Sequence, residues 1–330
     1  MLIKISGVVL SVLVSGYCVA EPLSKTAGWE FTLNLNAGYT HSQSQLNTDD
    51  DNEITNDLNN SGQSTSSAIL FPLGRIQYTL ADLKTQFFLG NSRDQVSTAQ
   101  FQYEIGATHR FDDNSKLTLA FFPKLSLFNE TWKDPFLVGS KREVTDQDVG
   151  GGRIALENVL GSPFTLKYAI ADSDIDDEQS GLSQLTDISE INSLKRDSVF
   201  QRFEIETMFP ISKGIFLKPT LQYTNRNAEG DANSYDQYTA QLALLVFRQQ
   251  YSLITTINTG VRYYQEENPI FDEKQNSQQF GILSIYSYKK PFNWENWSWT
   301  LMAGYNEENS DINFYDTKGL ILSTGMTFEY

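Results

Sequence analysis

The stretch Gly319-Leu-Ile-Leu-Ser-Thr-Gly-Met-Thr-Phe-Glu-Tyr330 decides how the rest of the chain is read. Leu320, Leu322, Thr324, Met326, Phe328 and Tyr330 form one register, apolar or tolerant of apolar surroundings, while Ser323, Gly325, Thr327 and Glu329 form the other, small or polar. A period of two is a strand with unlike faces. Such a strand can be the edge of a soluble sheet or one stave of a wall between lipid and water.

The N-terminus speaks for export. Lys4, the apolar run Ile5 to Val14, and Cys18-Val19-Ala20 before Glu21 have the three-part layout of a secretory signal peptide, residues 1–20, cleaved after Ala20. A lipoprotein signal is the rival, but bulky Tyr17 stands before the cysteine. Cys18 is the only cysteine, so the mature chain relies on its ladder and packing, not on a disulfide. The full chain carries 25 Lys plus Arg against 41 Asp plus Glu, a net charge of -16 that loss of Lys4 makes more negative. That balance excludes nucleic acid as a partner and favours cations. Mean hydropathy is -0.37, yet aromatics are 13% of residues. Lipid-facing residues that alternate with polar luminal ones, flanked by aromatic belts, give this combination.

The alternation recurs along the chain. Trp29, Phe31, Leu33, Leu35, Ala37 and Tyr39 interleave with polar or small residues, and Phe101 to Phe111 repeats the pattern. Asp112-Asp113-Asn114 is a tight turn of the kind Asp and Asn favour. A fifth strand is expected from Ser115 to Phe128, and a turn at Pro210 to Lys213. Long and short connections alternate throughout, which a soluble sandwich, the alternative suggested by regular short strands, has no reason to do. The expected fold is all-β, a transmembrane antiparallel barrel of about 14 strands with short periplasmic turns and longer extracellular loops. Residues 21–28 are a short periplasmic tail and residues 29–330 the barrel.

This orientation places Trp29, Phe111, Phe209, Trp297, Trp299, Phe328 and Tyr330 at the periplasmic interface. Tyr39, Tyr263 and Tyr305 fall at the outer one. On the opposite face Lys124, Arg153, Arg202, Lys218 and Arg262 are set against Glu104, Glu204 and Glu206 as pore lining. Charges there must be wet or paired. A closed, salt-bridged lumen is the alternative to a water-filled one, and about 14 strands lie nearer the open sizes.

Asp172, Asp174 and Asp176 begin like a calcium loop, but Asp177 replaces the required Gly and Ser183 stands where the bidentate Glu belongs. They remain metal candidates beside a simpler reading as a solvated acidic rim. His41 and His109 are the only histidines. No nucleophile motif, zinc-protease motif or phosphate loop accompanies them, so no enzyme and no cofactor is expected. Gly150-Gly151-Gly152 marks a bend or a close backbone approach.

Several stretches carry a resemblance: Leu46 to Asp51, Phe87 to Arg93, Trp132 to Phe136, Arg142 to Asp146, and Asp177 to Gly181 with Arg196-Asp197. Together they resemble an uncharacterised family, a domain of unknown function, from marine gamma-proteobacteria, and more distantly monomeric porin-like barrels. The closing strand, with its final aromatic and Phe328 two places before it, resembles the last strand of outer-membrane barrels, where Phe is the commoner end. The resemblance implies an integral outer-membrane protein among lipid and lipopolysaccharide, recognised by the assembly machinery through its C-terminal strand. The expected function is a porin-like passive channel for small hydrophilic solutes with a mild cation preference. The alternative is a non-conducting surface barrel with an adhesion, receptor or structural role acting through its acidic loops.

Overall fold

The computed structural model describes residues 23–91, 103–124 and 130–330. The expected signal peptide, Phe101 and the far end of the expected fifth strand lie outside them. Among the described residues sixteen strands form: β1 (Gly28–Gln43), β2 (Ser64–Thr79), β3 (Thr85–Asn91), β4 (Tyr103–Arg110), β5 (Lys116–Phe122), β6 (Glu130–Trp132), β7 (Val144–Glu157) and β8 (Phe164–Ile175). Then follow β9 (Ser198–Thr207), β10 (Phe209–Ser212), β11 (Ile215–Ala228), β12 (Tyr235–Phe247), β13 (Tyr251–Tyr264), β14 (Ser277–Lys289), β15 (Trp297–Ser310) and β16 (Thr317–Glu329). β6 pairs only with β7, and β10 prolongs the β9 stave along β11, so the wall has 14 staves.

All neighbours pair antiparallel, and β16 closes on β1 in a register that runs from Thr32 opposite Glu329 to Gln43 opposite Lys318. Closure leaves no edge to be satisfied by another chain. The pleat then sorts the side chains. Leu33, Leu35 and Tyr39 are exposed on the outside, while Asn36 and Thr40, in the alternate register, are buried on the luminal side. On β16, Leu322 is exposed and Ile321 and Ser323 are buried.

One rim carries the tight connections, residues 80–84, 111–115, 158–163, 213–214, 248–250 and 290–296. The other carries 44–63, 123–124, 130–143 with β6 among them, 176–197, 229–234, 265–276 and 311–316. The contrast in length is strong over the first half and weak over the second. One expectation is corrected. Phe209–Ser212 is strand rather than turn, because it still finds partners on β11, and the turn there shrinks to residues 213–214. The acidic loop between β8 and β9 contains a short helix, α1 (Ile188–Ser193), whose first turn is held by the Asp187 carboxylate accepting from Ser189 N–H at 2.7 Å.

At the turn rim Trp29 packs on Tyr78 at 4.8 Å and Trp297 on Phe328 at 5.2 Å between ring centres. Phe111, Phe209 and Tyr330 are exposed there, and the Trp299 indole N–H donates to Thr324 Oγ1 at 2.8 Å. Toward the loop rim Tyr39 and Tyr263 are exposed, and the Tyr305 hydroxyl donates to Glu307 at 2.8 Å.

Candidate functional site: the charged lumen and its loop cap

Because adjacent strands are in register, inward residues line up as rows across the wall. Arg153, Ala169, Arg202, Thr224, Gln237 and Arg262 form one such row. Lys167, Glu204 and Gln222 form the next, followed by Glu157, Thr165, Glu206 and Thr220. Opposite charges fall beside one another along and between these rows.

The Glu104 carboxylate is fully buried and accepts from Arg153 Nε at 2.9 Å, Arg153 Nη2 at 3.0 Å and Arg75 Nη1 at 3.2 Å. Lys116 reaches Glu157 at 2.9 Å. Lys167 bridges Glu204 at 2.7 Å and Glu206 at 3.2 Å, and Lys218 meets Glu206 at 3.0 Å. Higher on the wall Arg262 binds Glu308 at 2.6 Å. Pairing with additional hydrogen bonds is what allows these ions to sit away from bulk water. Toward the turn rim Phe216, Leu245, Ile254, Ile285 and Met302 make a continuous apolar row on β11 to β15, with buried Gln241, Asn258 and Asn306 farther along the same strands.

Lys124 is not part of this lining. Its ammonium is bound by Asp172 and Asp174, which share parity with exposed Ile170 rather than buried Ala171, so the cluster faces outward near the loop rim. Asp172 and Asp174 hold the Lys124 ammonium, and among the described residues no set of three metal ligands comes together. His41 Nδ1 lies 2.9 Å from Ser66 Oγ, and His109 Nδ1 lies 2.9 Å from Thr85 Oγ1. No carboxylate joins either pair among the described hydrogen bonds.

Arg75, Arg226 and Glu308 are luminal residues that the sequence reading passed over. The alternation in the sequence ends two of their strands at Asn225 and Asn306, just short of Arg226 and Glu308. Arg75 follows Phe71 and Leu73, two apolar residues on the luminal face that blur the parity of β2.

Above the lumen the loops interlock. Trp132 donates from its indole to the Gln45 carbonyl at 3.1 Å, and the Arg142 guanidinium lies 4.5 Å from the centre of the Trp132 ring. Arg142 Nη1 donates to the Gln45 carbonyl at 3.0 Å and the Pro135 carbonyl at 3.1 Å, and Nη2 donates to the Asn52 carbonyl. Burial pushes the Arg142 pKa down to about 10, against the Asp134 charge, which leaves it cationic at neutral pH. Asp134 accepts from the backbone of Phe136, Gly181 and Ser183. Arg196 grips Glu178 with two parallel bonds, 2.8 and 2.9 Å, and reaches the Trp132 carbonyl at 2.6 Å.

A hydrophobic core seals these contacts. Phe136, Leu194, Ala232, Ile312 and Phe314 are buried together, with Leu46 and Phe271 packed against them. They come from six loops spaced around the ring, so the cluster they share lies across the mouth. Leu46 and Phe136 fall within the stretches that carried the family resemblance and Leu194 beside one, whereas Ala232, Phe271, Ile312 and Phe314 do not.

A family model described as a protein of unknown function, DUF2860, matches residues 28–329. The chain belongs to the DUF2860 family. Comparison with curated proteins finds no match. Among solved structures the chain is similar to OmpT, an outer-membrane protein of Vibrio cholerae, with a TM-score of 0.45, 10% identity, and coverage of 94% of this chain and 100% of that one. A FadL homologue of Pseudomonas aeruginosa gives a TM-score of 0.42 and 10% identity over 91% of this chain and 90% of that one. OccAB4 of Acinetobacter baumannii gives 0.41 and 9% over 94% and 100%. The assignment of a closed barrel to this DUF2860 chain rests on its own strand register.

Proposed function

We propose that this chain is an outer-membrane barrel that passes small hydrophilic solutes through a charge-lined lumen, with an outer mouth governed by the interlocked loops. The observation that carries the reading is the two-faced closed wall: an exposed apolar outer surface with aromatic rims, around a lumen whose ladder runs from Lys116 and Glu157 to Arg262 and Glu308. Ionised rows inside a wall of this kind suit an aqueous path. The mild cation preference expected from the whole chain rests largely on acids in the loops and turns, outside the ladder.

The cap supports a second reading, a barrel that does not conduct and acts at the cell surface. A mouth bridged by Arg142, Arg196 and the Phe136 cluster offers a built outer face. Single-channel recording of the refolded mature chain in a planar bilayer separates the two. Stable openings under a salt gradient establish the channel. A folded, heat-modifiable barrel without openings assigns the function to the capped surface.

A further inference from the structure

Five acids of the luminal face are engaged by bases. Glu104 has Arg75 and Arg153, Glu157 has Lys116, Glu204 and Glu206 share Lys167 and Lys218, and Glu308 has Arg262. Arg110, Arg202 and Arg226 also present guanidinium groups on that face. Arg226, on β11, is set between Phe200 of β9 and Tyr235 of β12. Its guanidinium carbon lies 5.3 Å from the centre of the Phe200 ring and 6.0 Å from that of Tyr235, and the Tyr235 ring also carries Arg262 at 4.6 Å. Its hydrogen-bond acceptors are neutral: Nε donates to Ser198 Oγ at 2.8 Å and Nη2 to the Arg196 carbonyl at 2.8 Å. Among the described residues it has no carboxylate partner.

This is an unbalanced charge in costly surroundings. Phe200, Tyr235 and Tyr264 are buried beside it with Val149 and Phe122, so water screens the guanidinium poorly. Arg262 nearby is a second cation, held by Glu308. A guanidinium has five N–H groups and a planar fork, of which two donors are used here. An anion with two oxygen acceptors matches what remains and restores the balance. The chain's excess of acid lies mostly elsewhere, in loops and turns, so a lumen with bases in surplus is set inside an acidic exterior.

We infer that Arg226 is the centre of an oxyanion site in the outer part of the lumen, under the cap, and that the solutes of this barrel include carboxylates or phosphates. The solute class rests on the channel reading; the site itself does not. The test uses the full mature chain refolded in detergent at low salt, titrated by calorimetry with inorganic phosphate and, separately, acetate. One saturable site is expected for at least one of them. Arg226→Gln is expected to weaken it at least tenfold, and Arg226→Lys, which keeps the charge but loses the fork, to fall between. Lys84→Gln, an ion pair with Asp112 at the turn rim, is expected to bind as the parent does. Tighter phosphate points to phosphorylated solutes, and tighter acetate to carboxylates.

Absence of saturable binding for both anions, or equal binding by a folded Arg226→Gln or Arg226→Lys chain, overturns the site. Bilayer recordings keep the two readings apart. A chain that binds phosphate but never conducts retains the site and loses the channel. One that conducts without binding either anion retains the channel and loses the site.

Discussion

Removing the guanidinium of Arg142 strands the carbonyls of Asn52 and Pro135 inside the cap, leaves that of Gln45 to the Trp132 indole alone, and opens the face of Trp132. Each buried group left without a partner costs about 1–3 kcal/mol. Arg142→Ala is therefore expected to loosen the cap by about 3 kcal/mol or more while the wall stays closed, seen as faster proteolysis of the outer loops in a chain that still migrates as a folded barrel. Glu178 gives the cap a pH dependence. Burial pushes its carboxyl up, but the Arg196 charge and the hydrogen bonds from Arg196 and Ser180 outweigh that, and the net shift is downward. A carboxyl lowered on folding contributes stability that is fully present above its unfolded value, about 4.3, and lost as pH falls through the lower folded value. Loop proteolysis by an acid-stable protease is expected to accelerate below about pH 4, and Glu178→Gln to flatten that response. An unchanged profile in the variant would assign the acid sensitivity to other carboxylates.

Among the elements, β7 shows what alternation reveals and what it hides. The glycine run within it reads as a close backbone approach, and the structure gives the reason at Gly151. A Cβ there would stand 2.1 Å from the Ile170 carbonyl oxygen and 2.9 Å from the ring of Phe122, which is fully buried. Gly151→Val is expected to cost about 1–3 kcal/mol by overpacking, read as a lower temperature at which the folded band disappears on a gel. Strand faces were legible because lipid on one side and polar groups on the other impose a period of two. Strand ends were not, because pairing continues into polar sequence wherever a neighbour still offers partners, as at Phe209–Ser212, Arg226 and Glu308. Helix α1 had a readable start, Asp187 three residues before Glu190, the spacing of a capping box, inside a loop otherwise read for its charge.

For the whole molecule, the number of staves and the sidedness of the wall follow from local pattern, whereas the cap does not. Arg142 meets Gln45 across 97 positions and Asn313 meets Asn59 across 254. Contacts of that span leave no period in the sequence. Charge balance is likewise a property of the closed ring. Neutralising Glu204 and Glu206 to Gln frees Lys167 and Lys218 and is expected to move the reversal potential under a salt gradient toward anions by several-fold in permeability ratio. An unmoved potential would take these carboxylates out of the conducting path. The interlocked mouth also bears on anyone who would display a peptide on this barrel. A segment spliced into 265–276 disturbs Phe271, and through Phe136 and Phe314 it disturbs loops that begin on distant staves. The turn at 111–115 has no such neighbours in that core, so a graft there stays a local affair. The outer loops behave as one graft site, to be replaced together or left alone.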